Sequence, residues 1–174
     1  MRVRLLFLGD SLIEYCDWQG LFPAHAVRNA GLAGETVEGL LSRLPGLLAP
    51  GEKPEKCFLM IGTNNLLGED YFFLPAYGEL LDSLTALAPG AETVCTSLLP
   101  MPLPWLAPNA VARINDLLRA LASARGAGYL DLHSLFSKGP QPAAACFEAD
   151  GVHLSREGYA LWARAIADLL LARG

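Results

Sequence analysis

Along the chain, apolar residues follow two patterns that alternate: short unbroken runs, and longer stretches in which they recur every three or four positions. Val3 to Leu8 is an unbroken run without polar alternation, the pattern of a strand covered on both faces in a parallel sheet. Gly9 then frees the backbone to turn, and Ser11 stands at the strand's edge. Ala26 to Gly31 predicts a second strand, Cys57 to Ile61 a third, Thr93 to Leu98 a fourth and Tyr129 to Leu132 a brief fifth. Between them the period changes to that of helices. Val37, Leu40, Leu41, Leu44, Leu47 and Leu48 share one face, with Pro45 expected to break or kink the helix near Leu44. Tyr77, Leu80, Leu81, Leu84 and Leu87 predict a helix ended by Pro89-Gly90, and Val111, Ile114, Leu117, Leu118 and Leu121 one closed by Gly126 and Gly128. Ser155 caps a last helix whose face is Tyr159, Trp162, Ile166, Leu169 and Leu170.

The remaining stretches read as connections. Trp18 to His25 is short helical or irregular, Ala49 to Pro54 a surface loop, and Gly62-Thr63-Asn64-Asn65 a set of turn formers. Pro100, Pro102, Pro104 and Pro108 stiffen a loop carrying Met101 and Trp105, and Ser137 to Ala145 is a loop rich in Gly, Pro and Ala. Strands alternating with helices imply right-handed crossovers and a five-stranded parallel sheet with helices on both faces, an α/β fold. No repeat, linker or second core is visible, so one domain is expected over residues 1–174. Ligands of such a sheet bind beyond the carboxyl ends of its strands. Ser11, the Asn29 to Thr36 turn, Asn64 and the Asp150 loop should therefore gather on one edge.

Composition narrows the partners. A chain of 174 residues with 52% hydrophobic content buries roughly two thirds of its unfolded surface without staples. A net charge of -5 and no basic stripe exclude a nucleic-acid footprint. No window is apolar for the length of a membrane span, and the apolar run after Met1-Arg2-Val3-Arg4 is too short for a secretory leader. A cytoplasmic protein without stable membrane association is expected. Cys16, Cys57, Cys95 and Cys146 are widely spaced, which favours free thiols; a Cys57–Cys95 disulfide is the alternative, and no ligand-spaced His or Cys suggests a metal.

The candidate chemistry begins at Ser11. Ser11-Leu12-Ile13-Glu14 has the S-x-x-E form of a capping box, so Ser11 is either a helix cap or a nucleophile. Asp150 lies three residues before His153, just ahead of the last helix; the pair either decorates a surface turn or supplies a base and the acid that orients it. A serine hydroxyl is a poor nucleophile until a neutral imidazole, of ordinary pKa near 6.5, takes its proton. Acyl transfer also needs donors for the developing oxyanion. The Ser11 amide at a helix start, the Gly34 amide and the Asn64 carboxamide are available; otherwise Gly34 is a turn glycine and Asn64 an Asx-turn residue.

Gly9-Asp10-Ser11-Leu12, Asn29-Ala30-Gly31-Leu32-Ala33-Gly34-Glu35-Thr36, Gly62-Thr63-Asn64-Asn65 and Asp150-Gly151-Val152-His153-Leu154 resemble, in order, the four blocks of the GDSL, or SGNH, hydrolases. The resemblance implies a flavodoxin-like three-layer α/β/α sandwich, hydrolysis of esters or thioesters, and no cofactor. It makes Ser11 the nucleophile, His153 the base, Asp150 its partner, and the Ser11 amide, Gly34 and Asn64 the oxyanion hole. Gly-Thr-Asn-Asn in the third block is closest to the platelet-activating-factor acetylhydrolase-like branch. Asn65 departs from the Gly-x-Asn-Asp of other members, which weakens transfer of their preference for long-acyl thioesters.

Other readings compete. His133 follows Asp131 by two, so a strand would point both to one side as an alternative base pair; His25, in an apolar segment, reads as structural or exposed. Tyr15, Trp18, Trp105, Phe136, Phe147 and Met101-Pro102-Leu103 either rim the serine or merely cover the sheet's end. A short chain without a lid insertion suggests an open cleft, small ester substrates and short acyl groups. A flavodoxin-like binding module is the competing class. Asp10 and Glu14 at the first turn, with no Lys or Arg between Arg4 and Arg28, argue against a bound phosphate. An α/β-hydrolase is rejected because Ser11 lacks the G-x-S-x-G setting and no strands precede its own. Oligomeric state is not legible.

Overall fold

A computed structural model describes residues 2–48, 53–101, 104–107, 109–138 and 143–172. Strands β1 (Arg4–Gly9), β2 (Ala26–Gly31), β3 (Lys56–Met60), β4 (Glu92–Thr96) and β5 (Gly128–Leu130) form one sheet in the order β2-β1-β3-β4-β5. Every pairing is parallel. This is the flavodoxin-like order, whose direction reverses between β1 and β3 and leaves a crevice beyond their carboxyl ends.

The helices are α1 (Ser11–Glu14), α2 (Trp18–Leu21), α3 (Val37–Leu47), α4 (Thr63–Leu67), α5 (Leu74–Leu87), α6 (Ala110–Ala124), α7 (Leu132–Lys138) and α8 (Arg156–Leu171). Alternate strand residues serve two cores. Leu6, Leu8, Cys57, Leu59 and Cys95 pack with Val37, Leu40 and Leu44 of α3, Leu80 and Leu84 of α5 and Leu118 of α6. Leu5, Phe7, Phe58, Met60 and Val94 pack with Leu12, Trp18, Phe136, Trp162 and Ile166 from α1, α2, α7 and α8. Burial on both faces is why β1 and β3 are apolar without alternation, and the result is the expected three-layer α/β/α sandwich.

Several local expectations are corrected. Helix α3 runs through Pro45 to Leu47, and the Leu48 amide still donates to the Leu44 carbonyl. Pro45 lies in the last turn, where its missing N–H costs one bond, while buried Val37, Leu40 and Leu44 hold the rest. Gly62 to Asn65 is not only a turn, because Thr63 opens α4 and buries Leu66. Leu132 does not end the fifth strand; it starts α7, whose first turn is held by the Ser134 amide donating to Asp131 Oδ1. The predicted loop from Ser137 to Ala145 is therefore helical to Lys138, and Ala143–Cys146 is a 3-10 turn. The expected loop residues Ala49 to Glu52, together with Pro102, Leu103, Pro108 and residues 139–142, lie outside the described residues. All four cysteines are free and buried, so Cys57 and Cys95 form no disulfide. Among the described residues, no helix is long and apolar enough to cross a membrane.

Candidate active site

Strand β1 ends at Gly9, where a Cβ would stand 2.0 Å from the Met60 carbonyl oxygen; only glycine lets the chain turn so close to β3. Asp10 then caps α1, its Oδ1 accepting from the Leu12 amide at 3.0 Å. The capping-box reading is thereby corrected. Ser11 is the first residue inside the helix, and Glu14 does not fold back but accepts from the Ala33 amide at 2.8 Å. The Ser11 hydroxyl is left for other work.

A four-residue helix has no cooperative stability of its own, so tertiary bonds hold α1 in place. Tyr159 OH donates to the Leu12 carbonyl at 3.1 Å and Trp18 Nε1 to the Ile13 carbonyl at 2.9 Å. Asn29 Nδ2 reaches the carbonyls of Ile13, Glu14 and Cys16. Gly31 lets β2 approach, since a Cβ there would meet the Glu14 nitrogen at 2.3 Å.

Ser11, only 9% exposed, faces His153 across 142 residues of sequence: Oγ lies 2.9 Å from Nε2. The other ring nitrogen, Nδ1, lies 2.6 Å from Asp150 Oδ2. Asp150 Oδ1 also accepts from the amides of Val152 and His153, each at 2.9 Å, so one carboxylate shapes the turn and orients the imidazole. Those bonds, the His153 ring first, lower the Asp150 carboxyl to about 2 and keep it charged. Gly151 takes the left-handed φ of 70° that closes the turn. The Glu148 amide donates to the His153 carbonyl and the Ser155 amide to that of Cys146, clipping the loop to the start of α8.

Gly34 and Asn64 arrive from the neighbouring loops. The Glu35 amide donates to the Leu32 carbonyl, closing a turn in which Gly34 adopts φ 76°. That left-handed torsion is the reason for the glycine; clearance is not, because nothing lies within 4 Å of a Cβ placed there. Asn64, in the first turn of α4, donates through Nδ2 to the Glu35 carbonyl at 2.9 Å, leaving its second N–H uncommitted. The surrounding turns use the amides of Leu12, Ile13, Glu14, Leu32, Ala33 and Glu35. Among the described residues, those of Ser11 and Gly34 have no protein acceptor.

Two neighbours of this cluster escaped sequence reasoning. Asp10, read as part of the Gly9-Asp10-Ser11-Leu12 block and as a negative flank but given no role of its own, is fully buried, and burial raises its carboxyl to about 6 against the Leu12 bond, Thr63 and His153, which lower it. Asp10 Oδ2 and Thr63 Oγ1 are buried without a partner in hydrogen-bonding geometry among the described residues, although Thr63 is near enough to favour the ionised acid. Asn65 is a structural tie: Oδ1 accepts from the Val37 amide, and Nδ2 donates to Glu38 Oε2 at 2.9 Å and Asp70 Oδ2 at 2.8 Å. An aspartate here would set a third carboxylate among two and lose both donors. Asn65→Asp is expected to destabilise the protein by about 2–4 kcal/mol at pH 7. Urea midpoints should recover part of that loss at pH 5, and equal midpoints for variant and wild type at pH 7 would refute the account.

Other expected residues are not brought in. Asp131 is occupied by Ser134 and by Arg119 Nη2 at 2.6 Å, and it bonds no imidazole; with Leu132 helical, His133 does not share a strand face with it. His25 Nδ1 accepts from the Val3 amide, a structural role. Of the expected rim, Trp18 and Phe136 are core residues, whereas Tyr15 is 61% exposed with its ring centroid 5.5 Å from that of His153. A cavity of about 840 Å³ is lined by Met101, Leu106, Val111, Phe147, Glu148 and Gly151, and Ser11 is not among its lining residues. Among the described residues, no three His, Cys, Asp or Glu side chains cluster to hold a metal.

Residues 7–161 match the profile of the GDSL-like lipase/acylhydrolase family. The platelet-activating factor acetylhydrolase IB subunit alpha1 of Homo sapiens is 31% identical over 97% of this chain and 75% of its own length. The Pongo abelii counterpart is 32% identical with the same coverage. A lipase/acylhydrolase from Enterococcus faecalis superposes with a TM-score of 0.83 at 22% identity, covering 99% of this chain and 97% of that one. An acetyl xylan esterase from Geobacillus stearothermophilus gives 0.72 at 22% identity, over 94% and 92%. At those identities the two structures establish the shared fold.

Proposed function

The chain belongs to the GDSL-like lipase/acylhydrolase family, whose members act on esters, and from that premise we propose that it is a serine esterase using Ser11, His153 and Asp150. The observation that carries the reading is the unbroken pair of hydrogen bonds from Ser11 Oγ through the imidazole to Asp150. In this scheme Ser11 Oγ attacks the ester carbonyl carbon as its proton passes to His153 Nε2. Asp150, ionised and bonded to Nδ1, holds the tautomer and stabilises the imidazolium. The carbonyl oxygen becomes an oxyanion, for which the Ser11 and Gly34 amides and the second Asn64 N–H, none bonded to a protein acceptor among the described residues, are the proposed donors. Collapse of the tetrahedral intermediate expels the alcohol with the proton from His153, leaving an acyl-Ser11. Water, deprotonated by His153, then attacks this ester; the acid departs and Ser11 Oγ regains its proton.

Short acyl groups are the proposed substrates. The 31%-identical relatives are named acetylhydrolases, and Ser11 is not among the residues lining the 840 Å³ cavity. The test is turnover of p-nitrophenyl acetate, butyrate, octanoate and palmitate, with a fluorophosphonate to label Ser11. Acetate or butyrate should be the best ester, and labelling should map to Ser11. Absence of label together with absence of turnover would remove the esterase reading. A rising preference toward palmitate would remove only the short-acyl one.

A further inference from the structure

Glu35 is charged yet withdrawn from solvent, its side chain 3% exposed. Arg43 of α3 grips it along one edge of the guanidinium, Nε donating to Oε1 at 2.6 Å and Nη2 to Oε2 at 2.5 Å. Nη2 also donates to the Ala30 carbonyl in β2 at 2.9 Å. One planar group therefore ties α3, β2 and the turn Leu32–Glu35 in a fixed relation. A two-pronged contact of this kind sets orientation as well as distance.

The backbone around Glu35 belongs to the oxyanion donors. Gly34 precedes it directly, and the Glu35 carbonyl accepts from Asn64 Nδ2 at 2.9 Å. The two hydrogens of a carboxamide nitrogen lie in one plane, so committing one to Glu35 aims the other. Neither the Glu35 carboxylate nor Arg43 bonds Ser11 or His153. We propose that the Glu35–Arg43 pair is a positioning device for the oxyanion hole, holding the Gly34 amide and the Asn64 carboxamide in register with Ser11. This rests on the assignment of Gly34 and Asn64 as oxyanion donors. A buried ion pair is a poor stabiliser against well-packed apolar residues, whereas misplaced donors are expensive to catalysis.

The test is kcat and KM for p-nitrophenyl butyrate in Glu35→Gln, Arg43→Lys, Asn64→Ala and the double variant Glu35→Gln/Asn64→Ala. Arg125→Gln, which breaks the remote Arg125–Asp82 pair between α6 and α5, serves as control. Glu35→Gln should lower kcat by about 10- to 100-fold with KM within about threefold, since the pair aims donors and touches no substrate. In the Asn64→Ala background the same change should cost under about fivefold, because part of what Glu35 acts through is gone. Arg43→Lys keeps the charge without the fork and should give an intermediate loss in kcat; it carries the test if Glu35→Gln fails to fold. The Arg125→Gln control should leave kcat unchanged. If Asn64→Ala is impaired while Glu35→Gln keeps wild-type kcat, or the two losses multiply in full, the pair is only structural and the proposal falls. An equal loss in the control would also overturn it. Unimpaired Asn64→Ala would instead remove the oxyanion assignment itself, a result distinct from the others.

Discussion

Ser11→Ala is expected to lower kcat/KM for p-nitrophenyl esters by about 10,000-fold or more, with His153→Ala close behind. Both substitutions interrupt the same proton path, the 2.9 Å contact between Oγ and Nε2. The double variant should therefore be little worse than either single one. Asp150→Asn should cost less, about 100-fold, because the Asp150 side chain is 50% exposed and water can take over part of its contact with the ring. Circular dichroism and thermal midpoints should stay near wild type for Ser11→Ala, since Asp10, not Ser11, caps α1. A Ser11→Ala enzyme within tenfold of wild type would remove the nucleophile assignment.

The second large effect concerns stability and has the opposite sign. Burial pushes the Asp10 carboxyl up from its ordinary 3.8 to about 6 in the folded protein. The folded state therefore holds this proton more tightly than the unfolded chain does. Stability from the group is fully present below pH 3.8, declines as pH rises to about 6, and stays lost above it. The difference is about 3 kcal/mol at pH 7. Asp10→Asn keeps a side-chain oxygen for the Leu12 amide, carries no charge, and brings an N–H to the region of the unpartnered Thr63 hydroxyl. It should raise stability at pH 7 by up to about 3 kcal/mol and leave it little changed at pH 4. Urea unfolding at the two pH values measures this; a variant no more stable at pH 7 would show that burial does not penalise the carboxylate. The same variant should be about tenfold slower, because the buried charge interacts favourably with a protonated His153, the form generated during attack.

The parts of this protein legible in sequence are those governed by local periodicity. Leu5 to Leu8, Cys57 to Met60 and Val94-Cys95 declare buried strands because both faces of a parallel sheet exclude water, which leaves no polar position to confuse the pattern. The long helices α3, α5, α6 and α8 are as plain, since each presents one stripe to one of the two cores. Placement of Ser11 and Asn64 at one edge followed from the strand ends, and that of Asp150 from the loop ahead of the last helix. Short helices were not legible: α4 and α7 are too brief to show a period, and α7 is marked only by Asp131 ahead of Ser134 and by Leu132 with Phe136.

The strands, their covering helices and the set of polar residues at the carboxyl edge are thus written in local order along the chain. What each of those residues does with its hydrogen bonds is settled by the folded packing. Asp10 and Ser11 are adjacent, and either could cap a helix; the turn at Gly9 put Asp10 in the capping position and left Ser11 to a histidine 142 residues away. Glu14 went to Ala33, Asn64 to the Glu35 carbonyl and Asn65 to two carboxylates for the same reason. Periodicity is a property of neighbours along the chain, whereas a hydrogen bond is won by whichever donor and acceptor the packed cores bring within about 3 Å in line, and that competition exists only once the chain has folded.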